Sequence, residues 1–222
     1  MGLSHIEWIV TGQVFWANPI FDISKNIETS RISSLCADFL VHPGFKNNAY
    51  IAKYLKPLCD TAVKRGIKNI TIPLMEHSSI EDQKERDRFS KLILEFAKEY
   101  PNLDFSFEAE LGLEELKEIL YLSKNFYVTY DTGNMTSHGV DHKKYIKAIG
   151  DRINNVHLKD RTYDAVTVPP GTGDTDFKLI FKKLKKIGYN GNYTIQTARG
   201  ETGKERETIT KHMRFFQELY NG

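Results

Sequence analysis

An α/β fold built from repeated βα units is what the sequence predicts, on three observations. Short β-branched and aromatic runs recur along the 222 residues, each is followed by a longer amphipathic stretch, and no Ser/Gly linker or low-complexity segment divides the chain. The strands fall at 5–10, 32–40, 69–74, 104–109, 126–132, 153–160 and 192–198, which makes seven. Helices fall at 20–29, 48–65, 81–99, 113–123, 141–149, 177–187 and 204–220. Gly66, Gly150 and Gly188 stand where three of those helices should stop, the place for a left-handed C-terminal cap. Residues 1–222 therefore read as a single domain. A doubly wound open sheet and a (β/α) barrel both fit the alternation. The first strand is followed by no G-x-G-x-x-G, which removes the commonest reason to prefer a dinucleotide-binding sheet.

Composition narrows the function classes. The 31 Lys and Arg nearly cancel the 29 Asp and Glu, leaving a net charge of +2. Such a balance supplies no basic field for a phosphate backbone or an anionic membrane surface, so the expectation is no nucleic acid and no membrane. No segment approaches 18 consecutive apolar residues, and the N-terminus lacks the charged and apolar regions of a signal peptide. Cys36 and Cys59 stand alone, outside any Cys/His cluster, which argues against a disulfide framework or a structural zinc site. A cytoplasmic protein is expected.

Catalytic groups in parallel barrels converge at the C-terminal ends of the strands. Four late strands end in metal-capable side chains: Glu108 in FSFEAE, Asp131 in VTYDTGN, His157 in NNVHLKD and Gln196 in YTIQTAR. Each alone fits a buried, hydrogen-bonded polar residue. Together they offer mixed nitrogen and oxygen coordination, which suits manganese, magnesium, iron, cobalt or zinc. The glycine-bearing segment 168–177 runs into a helix with Asp174 or Thr175 as its cap, so Gly171 and Gly173 could present N–H groups to an anion. Arg161 and Arg199 follow the last two strands and could hold a phosphate or carboxylate in bidentate fashion. Lys159 and Asp160 would pair with each other or meet a ligand. Glu7 and Asp38 sit late in early strands. Trp8, Phe15 and Trp16 could wall an apolar pocket.

The motifs YDTGN (130–134), NNVHLKDR (154–161), PPGTGDTDF (169–177) and GYNGNYTIQTARGE (188–201) together resemble the xylose isomerase-like TIM barrels, in particular their sugar phosphate isomerase/epimerase group. HIEWIV and ISSLCADF resemble that group's second and third strands. The resemblance implies a TIM (β/α) barrel lacking the first βα unit, with seven visible strands. The exposed edges would then be covered by self-association into a homo-oligomer, by other parts of the chain, or by residues upstream. It also implies a divalent metal, manganese first among the candidates, held by Glu108, Asp131, His157 and, at the last position, Gln196. The implied activity is isomerisation or epimerisation of a small sugar or sugar phosphate by enediolate-type proton transfer. Glu108 would act as ligand and base and Glu201 as a second base. Glu7, Asn134, Lys159, Arg161, Gly171, Gly173 and Arg199 would contact the substrate. Two positions depart from the group's pattern: Gln196 is an amide where many relatives carry a glutamate, and Asn134 replaces a histidine. The alternatives are a non-catalytic barrel that binds a sugar or a partner, and a metal-dependent hydrolase like the apurinic endonucleases, which would need a richer set of His and acidic residues.

Overall fold

The computed structural model describes residues 3–11 and 28–222, so Phe15, Trp16 and most of the helix expected at 20–29 lie outside the described residues. The chain forms two compact units, Gly2–Val128 and Thr129–Gly222.

In Gly2–Val128, β1 (Ile6–Ile9), β2 (Ile32–Cys36), β3 (Asn69–Leu74) and β4 (Asp104–Ala109) run parallel, and β5 (Phe126–Asp131) begins beside β4. The intervening helices are α1 (Asn48–Arg65), α2 (Gln83–Glu99) and α3 (Leu113–Leu120). Asn47 caps α1 by accepting from the Ala49 N–H at 2.8 Å, and Gly66 ends it at φ 71°. That left-handed turn is the one expected from the sequence. Strand alternation divides β4 into two faces. Phe105 and Phe107 point one way: Phe107 lies 5.8 Å from Phe89 of α2 and 5.3 Å from Phe126, ring centre to ring centre. Glu108 shares the other face with Ser106, whose hydroxyl donates to Asn69 of β3 at 2.8 Å. The packing of the phenylalanines against a helix thus decides which side chains of β4 are turned from the helical layer.

In Thr129–Gly222, the end of β5 leads into α4 (Thr132–Ser137) and α5 (His142–Ile149), followed by β6 (Ile153–Leu158). A two-stranded antiparallel hairpin, β7 (Asp160–Arg161) with β8 (Thr167–Val168), precedes α6 (Phe177–Lys186), β9 (Asn192–Ile195) and α7 (Glu205–Asn221). β6 pairs parallel with β9, Asn155 facing Asn192 and His157 facing Thr194. Aromatic rings join β9 to both helices: Phe177 lies 5.0 Å from Phe216, and Tyr193 lies 5.6 Å from both Phe181 and Tyr220.

Seven strands hydrogen-bond in the order β1-β2-β3-β4-β5-β6-β9, which keeps chain order throughout and places β1 and β9 at its ends. These are the seven strands that the sequence predicts. Several boundaries differ. The second strand stops at Cys36, where residues 38–40 turn into a 3-10 helix, and the sixth stops at Leu158, so Asp160 belongs to the hairpin. Gly150 is not a left-handed cap: at φ −62° it continues into a 3-10 turn over Gly150–Arg152. The cap of α6 is Asp176, which accepts from the Leu179 N–H at 3.0 Å, and neither Asp174 nor Thr175. The short α4 reads TGNMTS, a run with weak helix propensity, and owes its start to capping by Asp131. Among the described residues, no helix is long and apolar enough to cross a membrane.

Candidate functional site

Each late strand delivers one polar side chain at its C-terminal end. Within Gly2–Val128, Glu108 stands at the end of β4 and is 6% exposed. Glu7 on β1 accepts hydrogen bonds from Ser34 of β2 and, at 3.1 Å, from Thr71 of β3. Its carboxylate is therefore held by hydroxyls from two neighbouring strands, an arrangement that fixes its direction.

Within Thr129–Gly222, Asp131 closes β5 and has three partners. Its Oδ1 accepts from the Asn134 N–H at 2.8 Å, capping α4, and its Oδ2 faces Lys159 Nζ at 2.7 Å and His157 Nδ1 at 4.0 Å. Asp131 is 1% exposed and His157 is fully buried. Burial alone would raise the Asp131 pKa; the Lys159 ammonium, the His157 ring and the hydrogen bonds from Lys159 and the Asn134 amide outweigh it and hold the carboxyl below the usual carboxylate range. Lys159 is anchored from behind, because Thr132 Oγ1 donates to its carbonyl at 2.7 Å, and its ammonium also reaches Asn134 Oδ1 at 3.4 Å. Lys159 and Asp160 do not pair.

Asp160 has a different task. Its carboxylate accepts from the N–H groups of Gly171 at 2.7 Å, Gly173 at 3.0 Å and Thr175 at 3.3 Å. The glycine loop does present N–H groups to an anion, as its composition suggests, but that anion is the chain's own aspartate. Gly171 and Gly173 thus shape the loop through Asp160, and those amides do not face an external anion. Arg161 donates from Nε to Thr167 Oγ1 at 3.3 Å across the hairpin. Arg199 is exposed. Glu201, expected as a second base, has a side chain 72% exposed and paired with Lys204 at 2.6 Å, a solvated position that gives a carboxylate no reason to act as a base. Gln196 follows β9, its backbone N–H donating to Leu158 at 3.2 Å. Its Oε1 is buried and has no hydrogen-bond partner.

The sequence reading missed the network behind α4. Thr136 Oγ1 donates to the Thr132 carbonyl at 2.7 Å, so it accepts from His142 Nε2 at 3.1 Å, and His142 Nδ1 accepts from the Tyr130 hydroxyl at 2.5 Å. A neutral imidazole fits this pattern. Burial lowers the His142 pKa below 6.5, only partly offset by Asp176 and Asp141. The unfolded chain then binds the proton more readily, so the stability due to His142 is fully present above pH 6.5 and is lost as pH falls through its folded value. Thermal melts at pH 7.5 and pH 5.5 should show a drop in midpoint that shrinks in His142→Gln.

Glu108, Asp131 and His157 are all buried, and each offers one ligand atom of a kind that metals take. Residues 25–219 match the xylose isomerase-like TIM barrel family, and the chain belongs to that family. Over 102 residues it is 30% identical to an L-ribulose-5-phosphate 3-epimerase of Salmonella paratyphi A, covering 42% of this chain and 36% of that protein. Over 118 residues it is 27% identical to an inosose dehydratase of Geobacillus thermodenitrificans, covering 43% of this chain and 40% of the relative. The matches therefore span well under half the length of these relatives. The crystal structure of an IOLI protein with a bound zinc atom has the same fold at a TM-score of 0.73 and 17% identity, covering 98% of this chain and 87% of that one.

Proposed function

We propose that this chain is a divalent-metal-dependent isomerase or epimerase of a small sugar or sugar phosphate, acting as one domain over residues 1–222. The observation that carries the reading is the buried pair of Asp131 and His157 at the ends of β5 and β6, Oδ2 and Nδ1 4.0 Å apart, with the unpartnered Gln196 oxygen just after β9. To these the reading adds Glu108, buried at the end of β4. Two carboxylates, one imidazole and one amide oxygen are a donor set that fits manganese, magnesium, cobalt, iron or zinc. The similarity to an L-ribulose-5-phosphate 3-epimerase supports a sugar substrate, and the zinc in the related IOLI structure supports a divalent ion.

A divalent ion in such a site polarises a carbonyl and its neighbouring hydroxyl, acidifying the C–H between them. The chain's own groups do the rest. Glu108, buried and on the face of β4 turned from the helices, is the carboxylate that takes the proton and returns it. Lys159 holds its positive charge beside Asp131 and Asn134, where it can meet an oxyanion developing on the substrate. Glu7, steered by Ser34 and Thr71, orients a sugar hydroxyl.

A second reading is favoured by one observation: Lys159 already neutralises Asp131, which suits a barrel that binds a sugar without a metal. Incubating the protein with ketose and ketose phosphate panels in D₂O, with manganese added, separates the two. The enzyme exchanges the C–H next to the carbonyl and loses that proton signal; unchanged spectra across the panel in protein shown to bind manganese would leave the binder.

A further inference from the structure

Alternation along β6 puts Asn155 and His157 on one face, and the register with β9 sets Thr194 directly opposite His157. The Thr194 hydroxyl donates to Asn155 Oδ1 at 3.1 Å. With the hydroxyl as donor, the NH₂ group of Asn155 faces His157 Nε2, at 3.3 Å. Asn155 and His157 are both buried. An NH₂ group can only donate, so in this arrangement Nε2 accepts, and the proton of the neutral ring resides on Nδ1, the nitrogen turned toward Asp131. A protonated nitrogen has no lone pair for a metal.

The two arrangements differ by half a turn of one amide. If Asn155 rotates, Oδ1 accepts from Nε2–H and its NH₂ donates to Thr194, whose hydroxyl serves equally as donor or acceptor. All the named contacts are then made again with their directions reversed, and Nδ1 is bare. We infer that Asn155, backed by Thr194, is a positioning residue that sets the tautomer of His157 and thereby decides whether Nδ1 can ligate a metal. This deepens the metal reading above and rests on it for the ligand, while the tautomer stands on the contacts alone. The chemistry is that of the outer-shell acceptor which orients a ligating imidazole, here an amide able to face either way.

The test uses ¹⁵N-histidine NMR of the metal-free protein together with zinc calorimetry, on wild type, Asn155→Asp and Asn155→Leu. Wild type should carry the His157 proton on Nδ1. In Asn155→Asp the carboxylate can only accept, so the proton should move to Nε2 and zinc affinity should rise about tenfold; Asn155→Leu should lose about tenfold. Should the aspartate variant fail to fold in thermal melts, Thr194→Val releases the amide from its donor and should raise the Nε2–H fraction. An Nε2–H ring in metal-free wild type, a tautomer indifferent to the variants that fold, or equal zinc affinities would overturn the inference. Wild type that binds no zinc, while the proton still moves in the variants, would overturn the metal reading and uphold the role of Asn155 in setting the tautomer.

Discussion

Asp131→Ala should cost about 3–5 kcal/mol of stability, the range for stripping one partner from a buried ion pair. The substitution leaves the Lys159 ammonium, whose side chain is 13% exposed, without its carboxylate, and it removes the cap of α4 in the same stroke. Loss of a cap alone is worth about 1 kcal/mol. Asp131→Asn separates the two effects, since an amide oxygen can still accept from the Asn134 N–H while bringing no charge. Chemical denaturation of both variants at neutral pH would show the asparagine protein between alanine and wild type. An alanine variant within about 0.5 kcal/mol of wild type, the scale of an ordinary surface change, would mean that Lys159 and Asp131 do not depend on each other. Manganese should raise the melting temperature of Lys159→Met more than that of wild type, because the ion then supplies the only strong positive charge beside Asp131.

His157→Ala should abolish tight manganese binding, a larger loss than the roughly 10–100-fold typical of outer-shell changes. The ring is fully buried with Nδ1 facing Asp131, so no solvent-side group can swing in to replace it. Gln196→Glu moves the same titration the other way. Glu108 and Asp131 together just neutralise a divalent ion, and one more carboxylate at nearly constant size should tighten binding by about tenfold or more in a partly desolvated site. The amide oxygen of Gln196 accepts no hydrogen bond, so the substitution breaks no contact at that atom. Calorimetry of the three proteins at one pH checks both arms: His157→Ala with wild-type affinity removes the metal site, and Gln196→Glu with wild-type affinity removes Gln196 from it.

The strands were legible because their signal is local: β-branched and aromatic runs between glycines, with β3 and β4 starting and stopping where the pattern does. The ends of β2 and β6 were not, since a chain leaving a sheet into a 3-10 turn or a hairpin keeps its apolar character for several residues. The charged partners of the site were harder still. Lys159 neighbours Asp160 in sequence but pairs with Asp131, because β6 ends at Leu158 and Asp160, already in the hairpin, is turned into the glycine loop. The glycine loop showed the right chemistry, N–H groups for an anion, while nothing local to it disclosed that the anion was eleven residues upstream of Gly171. Asn155 had a signal that period-two alternation makes readable: it lies two residues before His157. Alpha4 and the network from Tyr130 through His142 to Thr136 had none, since weak helix formers are held there by contacts made across the fold.

The Asp160 cradle makes a surface loop as intolerant of sequence drift as a hydrophobic core. A Cβ at Gly173 would come within 2.4 Å of Asp160 Oδ1 and 2.7 Å of the Arg161 carbonyl, and one at Gly171 would meet the Phe215 ring at 2.6 Å from a backbone at φ 83°. Neither glycine can acquire a side chain without displacing the carboxylate and the Arg161 backbone or the Phe215 ring. Residues 169–174 are also exposed or half-exposed to solvent, where substitutions ordinarily accumulate unnoticed. Descendants of this chain must therefore carry the aspartate and both glycines as one inherited unit or lose all three.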